Sequence, residues 1–215
     1  MIITKDILIY HHTLTLTNQR ALYWESEKTL VLSDLHIGKT AHFRKAGIPI
    51  PSTILERDLE RLQQLIDHFN VETVLIVGDL FHAGNNTDIE SFQTFINFNS
   101  TITIELIKGN HDRLKDSFFE NMGIIVYKTH KDVGQFRFVH DEKHCDEEVF
   151  CISGHTHPGV TIRGKGKIAI KLPCFEVSDH RLILPAFSDF TGLNTKRTVA
   201  AATCYGFTDK SLFEL

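Results

Sequence analysis

The sequence lacks several features that would place it in common classes of protein. Its four cysteines include no Cys-x-x-Cys pair, which argues against a zinc ribbon or a redox motif and favours buried, reduced thiols. No apolar run approaches the roughly 20 residues of a membrane-spanning helix. Residues 1–6 carry charges where a signal peptide would need its apolar region. We therefore expect a cytoplasmic protein without membrane contact. The cysteines are Cys145, Cys151, Cys174 and Cys204.

An excess of positive charge is also missing. The chain has 23 Lys and Arg against 27 Asp and Glu, a formal net charge of −4. This total argues against a strongly basic nucleic-acid binder or a polybasic membrane-surface protein, although a local basic groove remains compatible with it. The length of 215 residues and the 42% hydrophobic content predict a single globular domain over residues 1–215.

Histidine is the residue type in unusual supply, with 13 histidines against 4 tyrosines and 1 tryptophan. Imidazole is the commonest metal ligand among side chains and also transfers protons near neutral pH. The excess therefore directs attention to metal chemistry.

Hydrophobic periodicity predicts an α/β first half and a mainly β second half. Alternating residues before residue 25 predict hairpins, and a helix capped by Ser52 and a second helix over 88–98 separate later strands. The segment from Gly38 to Pro51 is predicted to be a loop with at most one helical turn, and residues 164–167 a hairpin turn. The predicted strands are 29–33, 73–77, 101–107, 124–127, 136–139, 149–153, 160–162, 168–172 and 182–184.

Metal-ligating side chains follow directly after these apolar runs. Strand ends that meet at one edge of a sheet would bring such side chains together. Carboxylate, imidazole and amide donors without a thiolate suit Mn, Fe or Zn, and their number is sufficient for two cations that share a carboxylate. The candidates are Asp34, His36, Asp79, Asn110, His111, Asp112, His140, His155 and His157.

The order Asp-x-His, Gly-Asp, Gly-Asn-His-Asp, a lone His and Gly-His-x-His resembles the five motifs of the calcineurin-like metallophosphoesterases. The resemblance implies an α/β fold, a four-layer α-β-β-α sandwich of two mixed sheets flanked by helices, with a dinuclear site at the strand ends. It implies that His111 contacts the scissile phosphate and protonates the leaving oxygen, and that Asp112 orients His111 by hydrogen bonding. The implied ligands are Asp34, His36 and His157 for one metal and Asn110, His140 and His155 for the other, with Asp79 bridging.

The fourth motif leaves two candidates. His140 follows an apolar run but precedes Asp141, where many relatives have glycine. His144 lies nearby in a charged stretch that reads as a solvated loop. We favour His140 as the ligand.

Longer segments resemble the bacterial ligase-associated DNA damage response endonucleases of the PdeM-type branch. The resemblance implies an intracellular phosphodiesterase or nuclease with two divalent metal ions, manganese before iron, zinc or magnesium. It also implies a functional association with a DNA ligase and a helicase in repair. The matching segments are residues 34–39, 43–49, 78–82, 154–159, 172–175, 184–187 and 190–192.

Several cations adjoin the metal motifs. Lys39, Arg44 and Arg113 are candidates to hold substrate phosphate, with solvated charges or ion pairs as the alternative. His82 could support the site or contact substrate, although a structural role is the preferred interpretation. Arg163, Lys165 and Lys167 could track a nucleic-acid backbone, but a solvated turn is preferred.

The leading hypothesis is a two-metal phosphodiesterase acting on DNA or on small phosphodiesters such as cyclic nucleotides. The same ligands would also serve a phosphomonoesterase or a nucleotide pyrophosphohydrolase. A non-catalytic repair scaffold is disfavoured, because such a protein can lose metal ligands and this sequence keeps a ligand at every motif position. A structural zinc site is also disfavoured, because structural zinc sites favour thiolate ligands. The apolar segments 172–175 and 184–190 are expected to be core or dimer contacts, and they favour a homodimer.

Overall fold

The chain folds into two β-sheets that pack face to face. The computed structural model describes residues 1–45, 47–51, 53–82, 87–145, 148–164, 169–197 and 201–215. The helices are α1 (Lys39–Lys45), α2 (Thr53–Phe69), α3 (Thr87–Phe98) and α4 (Asp116–Asn121). The strands of the first sheet are β1 (Thr4–Ile9), β2 (His12–Thr17), β3 (Leu22–Trp24), β4 (Thr29–Leu32), β5 (Thr73–Val77), β6 (Thr103–Ile107) and β7 (Ile124–Tyr127). Those of the second are β8 (His130–Val133), β9 (Phe136–Val139), β10 (Phe150–Ser153), β11 (Gly159–Arg163), β12 (Ala169–Val177), β13 (Arg181–Ile183), β14 (Thr203–Thr208) and β15 (Ser211–Glu214).

Both sheets are mixed. The first follows chain order from β1 to β7, antiparallel from β1 to β4 and parallel from β4 to β7. The second runs β15-β14-β12-β13-β10-β9-β8, with β10 parallel to β9 and β13 and with β11 added against β12. The predicted α/β architecture of two mixed sheets flanked by helices is confirmed.

Strands β4 and β5 are continuous apolar runs because both of their faces are buried. Successive side chains of a strand point to opposite faces. Leu30 and Val74 therefore pack toward the helices, whereas Val31 and Leu75 pack between the two sheets. Burial on both faces favours an unbroken apolar run over the alternation of a half-exposed strand.

The helices cover the outer face of the first sheet. The apolar stripe of α2, which includes Leu62, Leu65 and Ile66, is buried there with Phe92 of α3 and Phe119 of α4. Burial of each such side chain contributes about 1.5–3 kcal/mol. No helix in the described part of the chain is long and apolar enough to span a membrane.

Some local predictions were wrong. Helix α1 occupies seven residues of the segment predicted as a loop with at most one helical turn. The mainly β second half is as predicted, with the six-residue α4 as its one α-helix among the described residues. Strands β8, β14 and β15 were not predicted. β8 and β15 are four-residue strands that include charged residues, and β14 has a glycine in its interior. The predicted Ser52 cap and residues 165–167 of the predicted turn lie outside the described residues.

The prediction of four reduced cysteines was also wrong. Cys145 and Cys151 form a disulfide with their Cα atoms 5.8 Å apart, whereas Cys174 and Cys204 are free and buried. The chain turns back between the parallel strands β9 and β10, and this turn brings the two cysteines together. Their spacing in the sequence does not match a known short cysteine motif.

Candidate metal centre

The candidate ligands lie where strands of both sheets end. Asp34 and His36 follow β4, Asp79 follows β5, and residues 110–112 follow β6, so these parallel strands deliver them to one edge. His140 follows β9, and residues 155–157 follow the parallel strand β10. The two edges face each other, which brings side chains more than a hundred residues apart into contact.

A first group consists of Asp34, His36 and His157, whose ligand atoms lie within 4.8 Å of one another. Asp34 Oδ1 lies 3.1 Å from His157 Nε2 and 3.8 Å from His36 Nε2. The other oxygen of Asp34 accepts the backbone N–H of His155 at 3.0 Å. This bond leaves Oδ1 directed at the two imidazoles.

A second group consists of Asp79, His140 and His155, also within 4.8 Å of one another. His140 Nε2 lies 3.4 Å from Asp79 Oδ2, 3.1 Å from His155 Nδ1 and 3.1 Å from Asn110 Oδ1. His140 Nδ1 lies 3.0 Å from the carbonyl oxygen of Val77. If Nδ1 carries the proton and donates it to this oxygen, Nε2 is left as the ligand atom.

Asp79 stands between the two groups. Its Oδ2 is 4.0 Å from His36 Nε2 in the first group and 3.4 Å from His140 Nε2 in the second. Its Oδ1 accepts the backbone N–H of His111 at 2.8 Å. One carboxylate oxygen is therefore shared between the groups, as a bridging ligand would be.

The backbone of the site is strained in a way that positions these side chains. Five candidate ligands have φ between 49° and 68°, the left-handed region that costs non-glycine residues about 1–2 kcal/mol. Such strain is concentrated at functional sites. The five are Asp34, His36, Asp79, His155 and His157.

Two glycines allow the backbone to approach the side chains of the second group closely. A Cβ on Gly78 would lie 2.1 Å from His140 Nδ1, and one on Gly109 would lie 2.2 Å from Asp79 Oδ1. Gly78 also has φ of +83°, which glycine adopts without strain. Both glycines adjoin metal motifs in the sequence, and the structure shows that a side chain at either position would collide with a candidate ligand.

His140 is in the site and His144 is not. His144 is exposed and ends a 3-10 helix over Glu142–His144, directly before the Cys145–Cys151 disulfide. Of the two histidines, His140 is the one that contacts Asp79 among the described residues, which agrees with its choice as the candidate ligand.

His111 lies at the rim of the site, partly exposed, with its ring 5.3 Å from that of His36. The expected hydrogen bond from the His111 ring N–H to the Asp112 carboxylate is not the one observed. Both Asp112 oxygens instead accept backbone N–H groups at 2.9 Å, one from Phe81 and one from Gly109. Burial raises the pKa of Asp112 to about 6 against these two bonds. Asp112 thus holds the loop that carries His111.

The residues fit a pair of divalent cations. Both ring nitrogens of His36 are buried and have no hydrogen-bond partner among the described residues, which is costly unless something binds them. Burial lowers the pKa of His36 to about 4, against the effect of Asp34 and Asp79, so its nitrogens are free of an added proton at neutral pH.

The acidic groups of the site favour positive charge at its centre. Burial would raise the pKa of Asp79, but hydrogen bonds from His140 and from the His111 N–H lower it to about 2. Burial would likewise lower the pKa of His140, but Asp79 and Asp34 raise it to about 9. A metal cation would take the place of that proton, and oxygen and nitrogen donors suit Mn, Fe or Zn.

The three predicted phosphate-binding cations have different surroundings. Lys39, half-buried at the start of α1, lies 5.9 Å from the Phe190 ring, and burial lowers its pKa against the effect of Asp34 and Asp79. Arg44 is 3.8 Å from the Asp88 carboxylate, the ion pair named as the alternative. Arg113 is exposed, and its Nε donates to the carbonyl oxygen of Asn110 at 3.4 Å.

The sequence left the role of His82 open and did not predict one buried group on β12 and β14. His82, for which a structural role was preferred, stacks on the ring of His111. A third group, Cys174, Glu176 and Cys204, lies buried on β12 and β14 with ligand atoms within 4.8 Å of one another. Burial raises the pKa of both thiols. In the sequence, this group was indicated only by the spacing of Cys174 and Glu176, which are two residues apart and so lie on the same face of a strand.

Comparisons with known proteins agree with this geometry. The family model described as calcineurin-like phosphoesterase matches residues 27–199, so the chain belongs to the calcineurin-like phosphoesterase family. The protein is therefore a metal-dependent phosphoester hydrolase. Among solved structures, that of the Pseudomonas putida nuclease MPE is similar, with a TM-score of 0.81 and 26% identity over 95% of this chain and 96% of that chain. No curated protein matches the sequence.

Proposed function

We propose that this hydrolase is a dinuclear-metal phosphodiesterase that cleaves DNA. The position of Asp79 Oδ2 between the two ligand groups carries the proposal, because a shared carboxylate oxygen is what two adjacent cations need. The similarity to a nuclease over nearly the whole chain supports nucleic acid as the substrate.

The two groups define which residues would hold which cation. Asp34, His36 and His157 would hold one cation, and Asp79 would contact both. The second would be held by Asn110, His140 and His155. When bound, the two cations neutralise the charge of the phosphate and lower the pKa of the water that attacks phosphorus.

His111 supplies the remaining chemistry. Asp79 fixes its backbone N–H, and the hydrogen bonds of Asp112 fix the loop on either side. Its partly exposed ring lies beside the first group, with its centroid 5.3 Å from that of His36. From there the imidazolium can donate its proton to the leaving oxygen, whose departure as an alkoxide is otherwise slow.

Three finer points of the proposal rest on the resemblance to the ligase-associated endonucleases. They are manganese as the metal, DNA repair beside a DNA ligase and a helicase, and a cytoplasmic location.

Rates of the metal-stripped protein resupplied with Mn, Mg, Fe or Zn test the proposal. The substrates are single-stranded DNA, duplex DNA, bis-p-nitrophenyl phosphate and p-nitrophenyl phosphate. We expect the fastest turnover with Mn and a preference for diesters over the monoester. Faster hydrolysis of the monoester would assign a phosphomonoesterase instead.

Two variants separate metal binding from proton donation. His111→Ala should keep both metals and lose about 10²–10⁴ in turnover of diesters with poor leaving groups. Asp79→Asn should lose metal from both groups, because it removes the shared oxygen's charge. Parental rates in His111→Ala would contradict the assigned role.

A further inference from the structure

Strand β11 and the outer part of β12 form a two-stranded antiparallel ribbon beside the metal centre. The ribbon comprises residues 159–163 and 169–173, with Gly159 opposite Pro173 and Arg163 opposite Ala169. It begins two residues after His157, a candidate ligand. Beyond Pro173, β12 joins the second sheet by pairing with β14.

The outer half of the ribbon is exposed, including Thr161, Arg163 and Lys171. Ile162 and Ile170 face each other across it and are 36% and 56% exposed. A solvated two-stranded ribbon buries little surface and is marginal on its own. Its projection beside an active site therefore suggests that it contacts something else.

The two faces of the ribbon differ in chemistry. Directly opposed residues share a face, and alternate pairs point to opposite sides. Thr161, Lys171 and Arg163 therefore lie on one face, which we call the basic face. Ile162 and Ile170 lie on the other face, which carries no charged residue among the described ribbon residues.

Charge is segregated in this part of the chain. Residues 157–175 contain four Lys and Arg and no Asp or Glu, although the chain as a whole has a net charge of −4. Among the described residues, Arg163 and Lys171 have no ion pair with a carboxylate. Two of the four, Lys165 and Lys167, lie outside the described residues.

We propose that the basic face of the ribbon binds the phosphate backbone of a DNA substrate whose scissile bond lies at the metal centre. The inference rests on the proposed function and extends it from the scissile phosphate to neighbouring nucleotides. Arg163 is four residues from Gly159, so it lies about 13 Å out along the ribbon. It is therefore placed for phosphates beyond the scissile one.

Phosphate contacts of this kind are independent of base sequence and sensitive to salt. Exposed cations also suit this partner better than a second copy of the chain, because two copies would bring like charges together. A DNA strand supplies the complementary charge along its whole length.

The double variant Arg163→Glu/Lys171→Glu tests the inference. On a DNA of 20 or more nucleotides we expect KM to rise by about tenfold with kcat little changed. The slope of log(kcat/KM) against log[salt] should become shallower by about 1.5. Bis-p-nitrophenyl phosphate is too short to reach the ribbon, and its hydrolysis should stay at the parental rate.

The matched control is Lys5→Glu/Lys210→Glu, which makes the same change in net charge at exposed positions on other elements. It should shift KM for DNA much less than the ribbon variant. Equal KM values for the two double variants would overturn the inference, because bulk charge would then explain the effect.

Two further outcomes separate this inference from its alternatives. If the parental protein hydrolyses bis-p-nitrophenyl phosphate but not DNA, the proposed nuclease function fails and the ribbon inference with it. If DNA is cleaved and the ribbon variant has the parental KM, only the ribbon inference fails. A dimer that Ile162→Glu converts to a monomer, with KM for DNA unchanged, would assign the ribbon to self-association instead.

Discussion

The ring of His82 stacks on the ring of His111, with centroids 4.8 Å apart and an angle of 27° between planes. His82 also lies edge-on to His36, at 5.6 Å between centroids. A candidate proton donor is thus supported on one side by an aromatic ring that belongs to the loop after Asp79. His82 acts through His111 in this arrangement, as a positioning residue.

We expect His82→Ala to lower diester turnover by about tenfold to a hundredfold, because small displacements of a catalytic group have effects of this size. His82→Phe should recover most of the rate, since it restores an aromatic surface. Metal content, measured by mass spectrometry, should stay parental in both. If the Phe variant is as slow as the Ala variant, a ring nitrogen of His82 matters and the stack does not.

Gly78 offers a test of how closely the second ligand group is packed. Gly78→Ala should lose metal affinity and activity, because the added Cβ would lie 2.1 Å from His140 Nδ1. The control is Gly123→Ala, whose φ of +85° matches the +83° of Gly78 but whose Cβ meets nothing within 4 Å.

Both glycine variants should lose about 1–2 kcal/mol of stability from backbone strain. Only Gly78→Ala should also lose metal, as measured by titration of the refolded protein. Equal metal affinity in the two variants would show that the contact with His140 is relieved by a shift of the ring.

The order of the ligand motifs could be predicted from the sequence because each follows an apolar run that forms a strand. Because β4, β5 and β6 pair in parallel, their carboxyl ends lie at the same edge of the sheet. The left-handed backbone of Asp34 and His36 could not be predicted in this way. It depends on hydrogen bonds from their N–H groups to Gly78 and Asp79, which belong to a neighbouring strand end.

Features that depend on contacts distant in sequence were the ones the sequence misjudged. The bond pattern of Asp112 is set by Phe81, thirty-one residues away. The Cys145–Cys151 disulfide is set by the return of the chain to β10. Helix α4 contains only six residues, and its buried Phe119 packs in the same core cluster as α2 and α3. A segment so short has little helical preference of its own.

His140 and His144 provide a paired test of the fourth motif. His140→Ala should lose one of two bound metals and lower activity, because the ring contacts Asp79, Asn110 and His155. His144→Ala removes an exposed imidazole four residues away and should retain both metals. Metal-to-protein ratios after dialysis decide the matter, and loss of metal in His144→Ala would contradict the assignment.

Asp58 on α2 should give the stability of the protein a component that depends on pH. It is 4% exposed, and burial raises its pKa from 3.8 to about 6 even though the Arg61 guanidinium beside it acts to lower it. The folded state therefore binds this proton more tightly than the unfolded state. The resulting stabilisation is full below about pH 4 and is lost as pH rises to about 6, by at most about 3 kcal/mol.

Asp58→Asn cannot lose a proton, so it lacks this component. The free energy of unfolding, measured with denaturant from pH 4 to pH 8, should therefore fall in the parental protein relative to Asp58→Asn between pH 4 and pH 6. Asp67→Asn, which removes an exposed carboxylate from the same helix, controls for the loss of one negative charge. Parallel profiles for the parental protein and Asp58→Asn would contradict the prediction, because an ionised Asp58 would then be as well accommodated inside the fold as in water.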